Sequence, residues 1–125
     1  MVFFITSYFS LQVTPEGLEK NFATNTVGTH IMTESLLPLI SKCADPRVII
    51  VSSGGMLTKK LDVDDLQHGK MEPFDGTMVY AQNKRQQVIM THEYAKKYPS
   101  VYFASMHPGE KTNEKYSKDN NRRRR

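Results

Sequence analysis

The sequence contains no tryptophan and a single cysteine among its 125 residues. A lone Cys43 excludes an internal disulfide framework and fits a reducing compartment, so a cytoplasmic setting is favoured. Glycine is also thin where it would matter. The seven glycines stand at 17, 28, 54, 55, 69, 76 and 109, and no G-x-G-x-x-G or related triple can be built from them. The tight strand-to-helix turn whose backbone amides approach a pyrophosphate is therefore absent from this sequence. Long apolar runs are lacking as well. Met1 to Val13 is apolar and free of Lys and Arg, yet it is shorter than the roughly 20 residues of a spanning helix. It also lacks the basic start and small-residue cleavage site of a secretory signal. Its β-branched and aromatic content suits a strand, and no membrane partner is expected.

An excess of positive charge is present but localised. The net charge is +4, yet residues 1–109 balance at 10 Lys/Arg against 10 Asp/Glu, whereas residues 110–125 hold 7 against 3. The segment Glu110 to Arg125 has no apolar periodicity and is expected to be a disordered, solvated terminus. With a neutral body, nucleic acid is not an expected partner. At 14.3 kDa and 38% hydrophobic residues the remainder fits one small globular domain.

Local signals order that domain. Thr14 with Pro15 and Glu16 reads as the capped start of a helix, with Leu18, Phe22, Ile31, Leu36, Leu39 and Ile40 as its apolar face. Gly28 is its weak point, and Pro38 bends or ends it. Arg47 to Ser53 is a continuous apolar run of the kind found in strands covered on both faces. Met56 to Thr77 reads as a long loop with one helical turn. Met78 to Lys97 reads as a second helix stopped by Pro99, with Lys96 and Lys97 at its negative end. Val101 to Ser105 reads as a short strand followed by a His107-Pro108-Gly109 turn. Strands alternating with helices predict a parallel α/β sheet.

The chemistry resides in Tyr80-Ala-Gln-Asn-Lys84. A phenol and an ammonium at i and i+4 share one helix face, and the cation is expected to favour the phenolate and ready Tyr80 for proton transfer. Ser53, delivered by the end of a strand, could hold a carbonyl oxygen beside it. Other readings fail on spacing. His92-Glu93 lacks the second histidine of a zinc helix because position 96 is Lys. Ser53 lacks the flanking glycine of a nucleophile elbow because position 51 is Val. No metal site is expected.

Four segments taken in order, Asn25-Thr-Val-Gly28, Val48-Ile-Ile-Val-Ser-Ser53, Tyr80-x-x-x-Lys84 and His107-Pro-Gly109, resemble the motifs of the short-chain dehydrogenase/reductase superfamily. The resemblance runs from about Thr14 to Gly109. It implies an incomplete Rossmann-like parallel sheet flanked by helices, with residues 1–13 as an apolar segment outside the family pattern and 110–125 as the basic tail. It implies an oxidoreductase that interconverts carbonyls and alcohols with NAD or NADP. The implied catalytic set is Asn25 supporting a water relay, Ser53 orienting the carbonyl, Tyr80 as general acid/base, and Lys84 tuning Tyr80 and holding the nicotinamide ribose. Asn25, Tyr80, Lys84, Pro108 and Gly109 are the implied cofactor contacts. Ser52 competes with Ser53 and is less favoured by the alignment of the paired serines. Asn83 departs from the small residue common before the lysine.

The family's glycine-rich turn and its Asn-Asn-Ala-Gly segment are not found, and both ends read as replaced. The expectation is a proton-transfer site without a usable cofactor site, hence impaired activity and a poorly covered sheet. The alternative is a non-catalytic module that pairs with itself or a full-length relative, because segments 14–43 and 78–97 resemble the helices that form the family's subunit interface.

Overall fold

The computed structural model describes residues 7–109. The expectations for residues 110–125 and for residues 1–6 lie outside the described residues, whereas residues 7–13, read as part of a strand, run as irregular backbone with one isolated antiparallel bridge from Val13 to Glu19.

The chain first makes a turn where a helix was expected. Pro15 and Glu16 start as a helix would, but Gly17 takes a φ of +83°, a conformation that ends helical winding. Gly17 N donates to the Thr14 carbonyl at 3.0 Å, and Thr14 N donates back to the Leu18 carbonyl at 2.8 Å. The helix begins one turn later, capped by Glu19, whose carboxylate accepts from the Asn21 and Phe22 amides at 2.9 and 2.7 Å. It runs as α1 (Lys20–Phe22), a π-turn (Ala23–Val27) and α2 (Gly28–Ile40). Pro38 lies inside α2, which stops two residues later.

The buried face of α2 also differs from the apolar stripe read in the sequence. Thr29, Thr33 and Leu37 are buried, whereas Ile31 is 58% and Leu39 62% exposed. Threonine can line this interior because each hydroxyl bonds to the carbonyl four residues back. Thr29 Oγ1 donates to Asn25 O at 2.7 Å and Thr33 Oγ1 to Thr29 O at 2.8 Å, which leaves only a methyl to pack.

Strand β1 (Arg47–Val51) pairs in parallel with β2 (Tyr102–Met106), Arg47 opposite Tyr102 and Val51 opposite Met106. Helix α3 (Gly76–Lys97) connects them. Its start is set by Asp75, whose side chain accepts from the Thr77 and Met78 amides at 2.9 and 3.2 Å, two residues before the expected start. Among the described residues the sheet has these two strands and is an α/β arrangement, as the alternation of elements predicted. One expectation fails here. Ile50 and Phe103 are buried, but Ile49 is 47% and Tyr102 60% exposed, so the described residues cover one face of β1 and not two.

The apolar core is Leu37, Tyr94, Val101 and Phe103, with Ile40, Val48, Met90 and Tyr98 packed around it. At the other end of α3 the N-terminal segment is clamped. Asn21, fully buried, accepts from Tyr8 N at 2.7 Å and donates to Tyr8 O at 3.1 Å. This brings the Tyr8 backbone onto Gly76, where a methyl group would overlap the Tyr8 carbonyl oxygen and approach Phe9 Cα to 2.9 Å. Gly76→Ala is accordingly expected to destabilise the chain by about 1–3 kcal/mol through overpacking. Denaturant unfolding measures that loss, and faster amide exchange at Tyr8 locates it.

Candidate active site

The site is built where the C-terminal end of β1 meets the first half of α3. Ser52 and Ser53 leave the strand in opposite directions. Ser52 is buried, with its amide donating to Met106 O at 2.8 Å and its hydroxyl donating to the Lys84 carbonyl at 3.1 Å. It is a bolt between β1, β2 and α3. Ser53 is partly exposed, extended at φ −144° and ψ 149°, and caps the 3₁₀ turn Gly54–Thr58. Its oxygen accepts from Gly55 N at 3.3 Å, which leaves its own hydroxyl proton free to turn outward. The turn packs closely onto its neighbours: the Cβ direction of Gly55 points at Ala81, and that of Gly54 points at the His107 ring. His107 Nδ1 in turn accepts from Gly109 N at 3.1 Å. Pro108 and Gly109 are exposed at this same end of the sheet.

Tyr80 and Lys84 stand one turn apart on α3, and the Lys84 ammonium lies 5.6 Å from the centre of the Tyr80 ring. That separation is within the range of a cation–π contact. Tyr80 is partly exposed, whereas Lys84 is fully buried. Its Nζ donates to the Val51 carbonyl at 2.7 Å and to Gln87 Oε1 at 3.0 Å. Burial pushes the ammonium down from its ordinary 10.5 to about 8, because the charged form gives up its hydration.

Asn25 sits in the π-turn and is buried. Its carbonyl accepts from Thr29 Oγ1 at 2.7 Å and from Gln87 Nε2 at 2.7 Å. Its side chain donates to Asn83 Oδ1 at 3.4 Å. Asn25 and Lys84 are thus joined through Gln87, a residue that the motif reading did not single out. The signal was in the sequence as polar residues at 82, 83, 86, 87 and 91, which recur on one side of a helix. Hydrophobic patterning assigns such a face to solvent, yet every one of these residues is buried.

The structure therefore joins Asn25 to Lys84 through Gln87 and sets the Lys84 ammonium beside the Tyr80 ring, while Ser53 follows two residues after Val51, whose carbonyl Lys84 holds. The lysine that the resemblance assigns to the ribose is enclosed and gives two of its three N–H groups to protein oxygens, and no glycine-rich turn lies among the described residues. No group of three or more potential metal-ligating side chains occurs among them, nor does a helix long and apolar enough to cross a membrane.

Comparison with known proteins supports the family read from the motifs. The chain is 59% identical over 98 residues to human dehydrogenase/reductase SDR family member 12, a match covering 78% of this chain and 31% of that protein. The bovine protein of the same name is 57% identical over the same length. The chain belongs to the short-chain dehydrogenase/reductase superfamily. Mouse retinol dehydrogenase 13, at 30% identity over 98 residues, is a more distant relative within it. No family model matches the chain. A solved structure of an uncharacterised protein from Mycobacterium paratuberculosis superposes with a TM-score of 0.70 at 23% identity, covering 86% of this chain and 41% of that one. That likeness concerns the fold. The chain spans about a third of the length of the curated relatives it matches.

The enclosed lysine of this dehydrogenase/reductase chain couples stability to pH. Between pH 8 and 10.5 the unfolded chain keeps the Lys84 proton and the folded chain has lost it, so stability rises with pH across that window and the penalty is complete below it. Tyr94, pushed up to about 12 by burial, works against folding only above its ordinary value of 10. From pH 8 to pH 10, wild type is expected to gain about 2 kcal/mol relative to Lys84→Met. Parallel denaturant curves for the two proteins across that range measure the gain, and identical pH slopes would contradict it.

Proposed function

We infer that this chain carries the proton-transfer element of a short-chain dehydrogenase/reductase that interconverts a carbonyl and an alcohol. The observation that carries the reading is the stacking of Lys84 against the Tyr80 ring at the rim where Ser53 emerges. Ser53 can donate its hydroxyl proton to a substrate oxygen, and Tyr80 can give a proton to that oxygen or take one from it. The ammonium behind the ring stabilises negative charge that develops on the phenol. Ser52 is occupied on the α3 backbone, which supports Ser53 as the substrate-facing serine. Asn25 acts through its carbonyl, by way of Gln87, on the lysine. Pro108 and Gly109 border the same end of the sheet.

Hydride exchange requires a bound nicotinamide, NAD or NADP by family resemblance, and the described residues lack the glycine-rich turn that would cradle its pyrophosphate. The isolated chain is therefore expected to be impaired, with no coenzyme binding in the micromolar range. Fluorescence titration with NADH and NADPH tests that, and micromolar binding would overturn it. At millimolar coenzyme the slow carbonyl reduction that remains should fall about a hundredfold or more in Tyr80→Phe. Turnover that survives this substitution would remove Tyr80 from the mechanism.

A second reading is favoured by the outer face of α2, where Ile31, Met32 and Leu39 are 58%, 41% and 62% exposed. Apolar side chains grouped on one helix suit pairing with another copy or with a longer relative. Sedimentation of the purified chain, alone and mixed with such a relative, should show dimers or a mixed complex. Monomers at all concentrations, with no mixed species, would exclude this reading.

A further inference from the structure

We propose that Gln87 is the positioning residue for Lys84, resting on the reading of Tyr80 and Lys84 as a proton-transfer pair. Its side-chain amide is the single covalent unit that spans from the lysine to the Asn25 carbonyl. Oε1 accepts from Lys84 Nζ at 3.0 Å, while Nε2 donates to Asn25 O at 2.7 Å and to Thr29 Oγ1 at 3.1 Å. The orientation of the amide is fixed by its neighbours, because an ammonium can only donate and a backbone carbonyl can only accept. Gln87 is 1% exposed and Lys84 is fully buried, so water does not compete at either end of the link.

Amide chemistry is what the position selects. A carboxylate at 87 would accept from the ammonium but has no proton to offer Asn25, whose carbonyl oxygen it would face. An apolar side chain would leave both the ammonium and the Asn25 carbonyl short of a partner, at the desolvation cost of unpaired buried polar groups. The second acceptor of the ammonium, Val51 O, belongs to the backbone of β1. Gln87 is therefore the side chain that sets where the charge stands relative to the Tyr80 ring and how strongly the protein holds its proton. The other charged side chain next to it on α3, Arg85, is directed to Met56 at 3.8 Å and not to Lys84.

The test reads the lysine itself, without coenzyme or substrate. In protein labelled with ¹³C and ¹⁵N at lysine, the Lys84 side-chain resonance is assigned by its loss in Lys84→Met and titrated with pH. Gln87→Glu should raise its midpoint by about one unit or more through the added opposite charge, and Gln87→Met should lower it by removing an acceptor. Midpoints that stay put, or that move in the same direction in both variants, would overturn the assignment. On the unmodified chain, the Gln87 side-chain NH₂ signals should shift with the Lys84 midpoint and exchange slowly with solvent. Signals that ignore the Lys84 titration would also overturn it, whether or not the variants fold. A negative result here leaves the Tyr80 reading intact, because that reading stands or falls on turnover.

Discussion

An ammonium group enclosed in protein dictates how much of this chain is arranged. Lys84 has no contact with solvent, and an isolated charge in such a place is far more costly than a neutral polar group. Oxygen has to be brought to it from elsewhere in the chain. One acceptor comes from the last residue of β1 and the other from the next turn of α3. The first contact fixes the height of α3 along the strand, and Ser52 repeats the tie from the other side by donating to the lysine's own carbonyl. Strand and helix are thus locked in register at the point where Ser53 and Tyr80 emerge.

The rest of α3 follows the same logic. Gln86 accepts from Thr26 Oγ1 at 2.6 Å and donates to Leu66 O at 3.1 Å. Gln82 donates to the Lys60 carbonyl and accepts from Asp62 N at 3.5 Å. These glutamines fasten the long loop after β1 to the helix, where an apolar helix would have used a hydrophobic contact. Cohesion of the molecule is therefore divided. The C-terminal half of α3 packs the ring of Tyr94 against Leu37, Val101 and Phe103, a contact dominated by apolar burial, with the Tyr94 hydroxyl held to His30 Nδ1 as its one directional tie. The N-terminal half holds its neighbours through directional bonds, each of which leaves an unsatisfied partner if broken. Precise placement belongs to the second half, and that is the half beside Tyr80.

How much of this could be read from the sequence depended on the kind of signal. Strand and helix order, the parallel pairing, the Tyr80–Lys84 spacing and the serine at a strand end were readable because each rests on local periodicity or on a few residues at fixed offsets. The start of the first helix was misread because Thr14, Pro15 and Glu16 are good starting residues, and the positive φ of Gly17 outweighed them. The inner face of α2 was misread because threonine counts as polar in a hydrophobic pattern. Back-bonding to the preceding turn makes it an apolar neighbour in practice. Gln87 was passed over for a related reason, because a polar helix face is read as solvated. Its role depends on the Asn25 carbonyl, 62 residues away in sequence, and on the burial of the polar face of α3.

The strand code carries one more consequence. Register places Arg47, Ile49 and Val51 on the same face as Tyr102, Ala104 and Met106, and on this face Ile49, Tyr102 and Met106 are 47%, 60% and 44% exposed. An antiparallel sheet with one wet face would alternate polar residues along it, whereas Val48 to Val51 is apolar at every step, as strands covered on both sides are. The bonds that place the cluster run from the Lys84 ammonium to the backbone carbonyl of Val51 and from the Ser52 hydroxyl to the backbone carbonyl of Lys84. Cover on the bare face therefore bears on solubility and folding, through apolar area removed from water. The position of Lys84 relative to Tyr80 is decided on the opposite side of the sheet, by α3 and the π-turn.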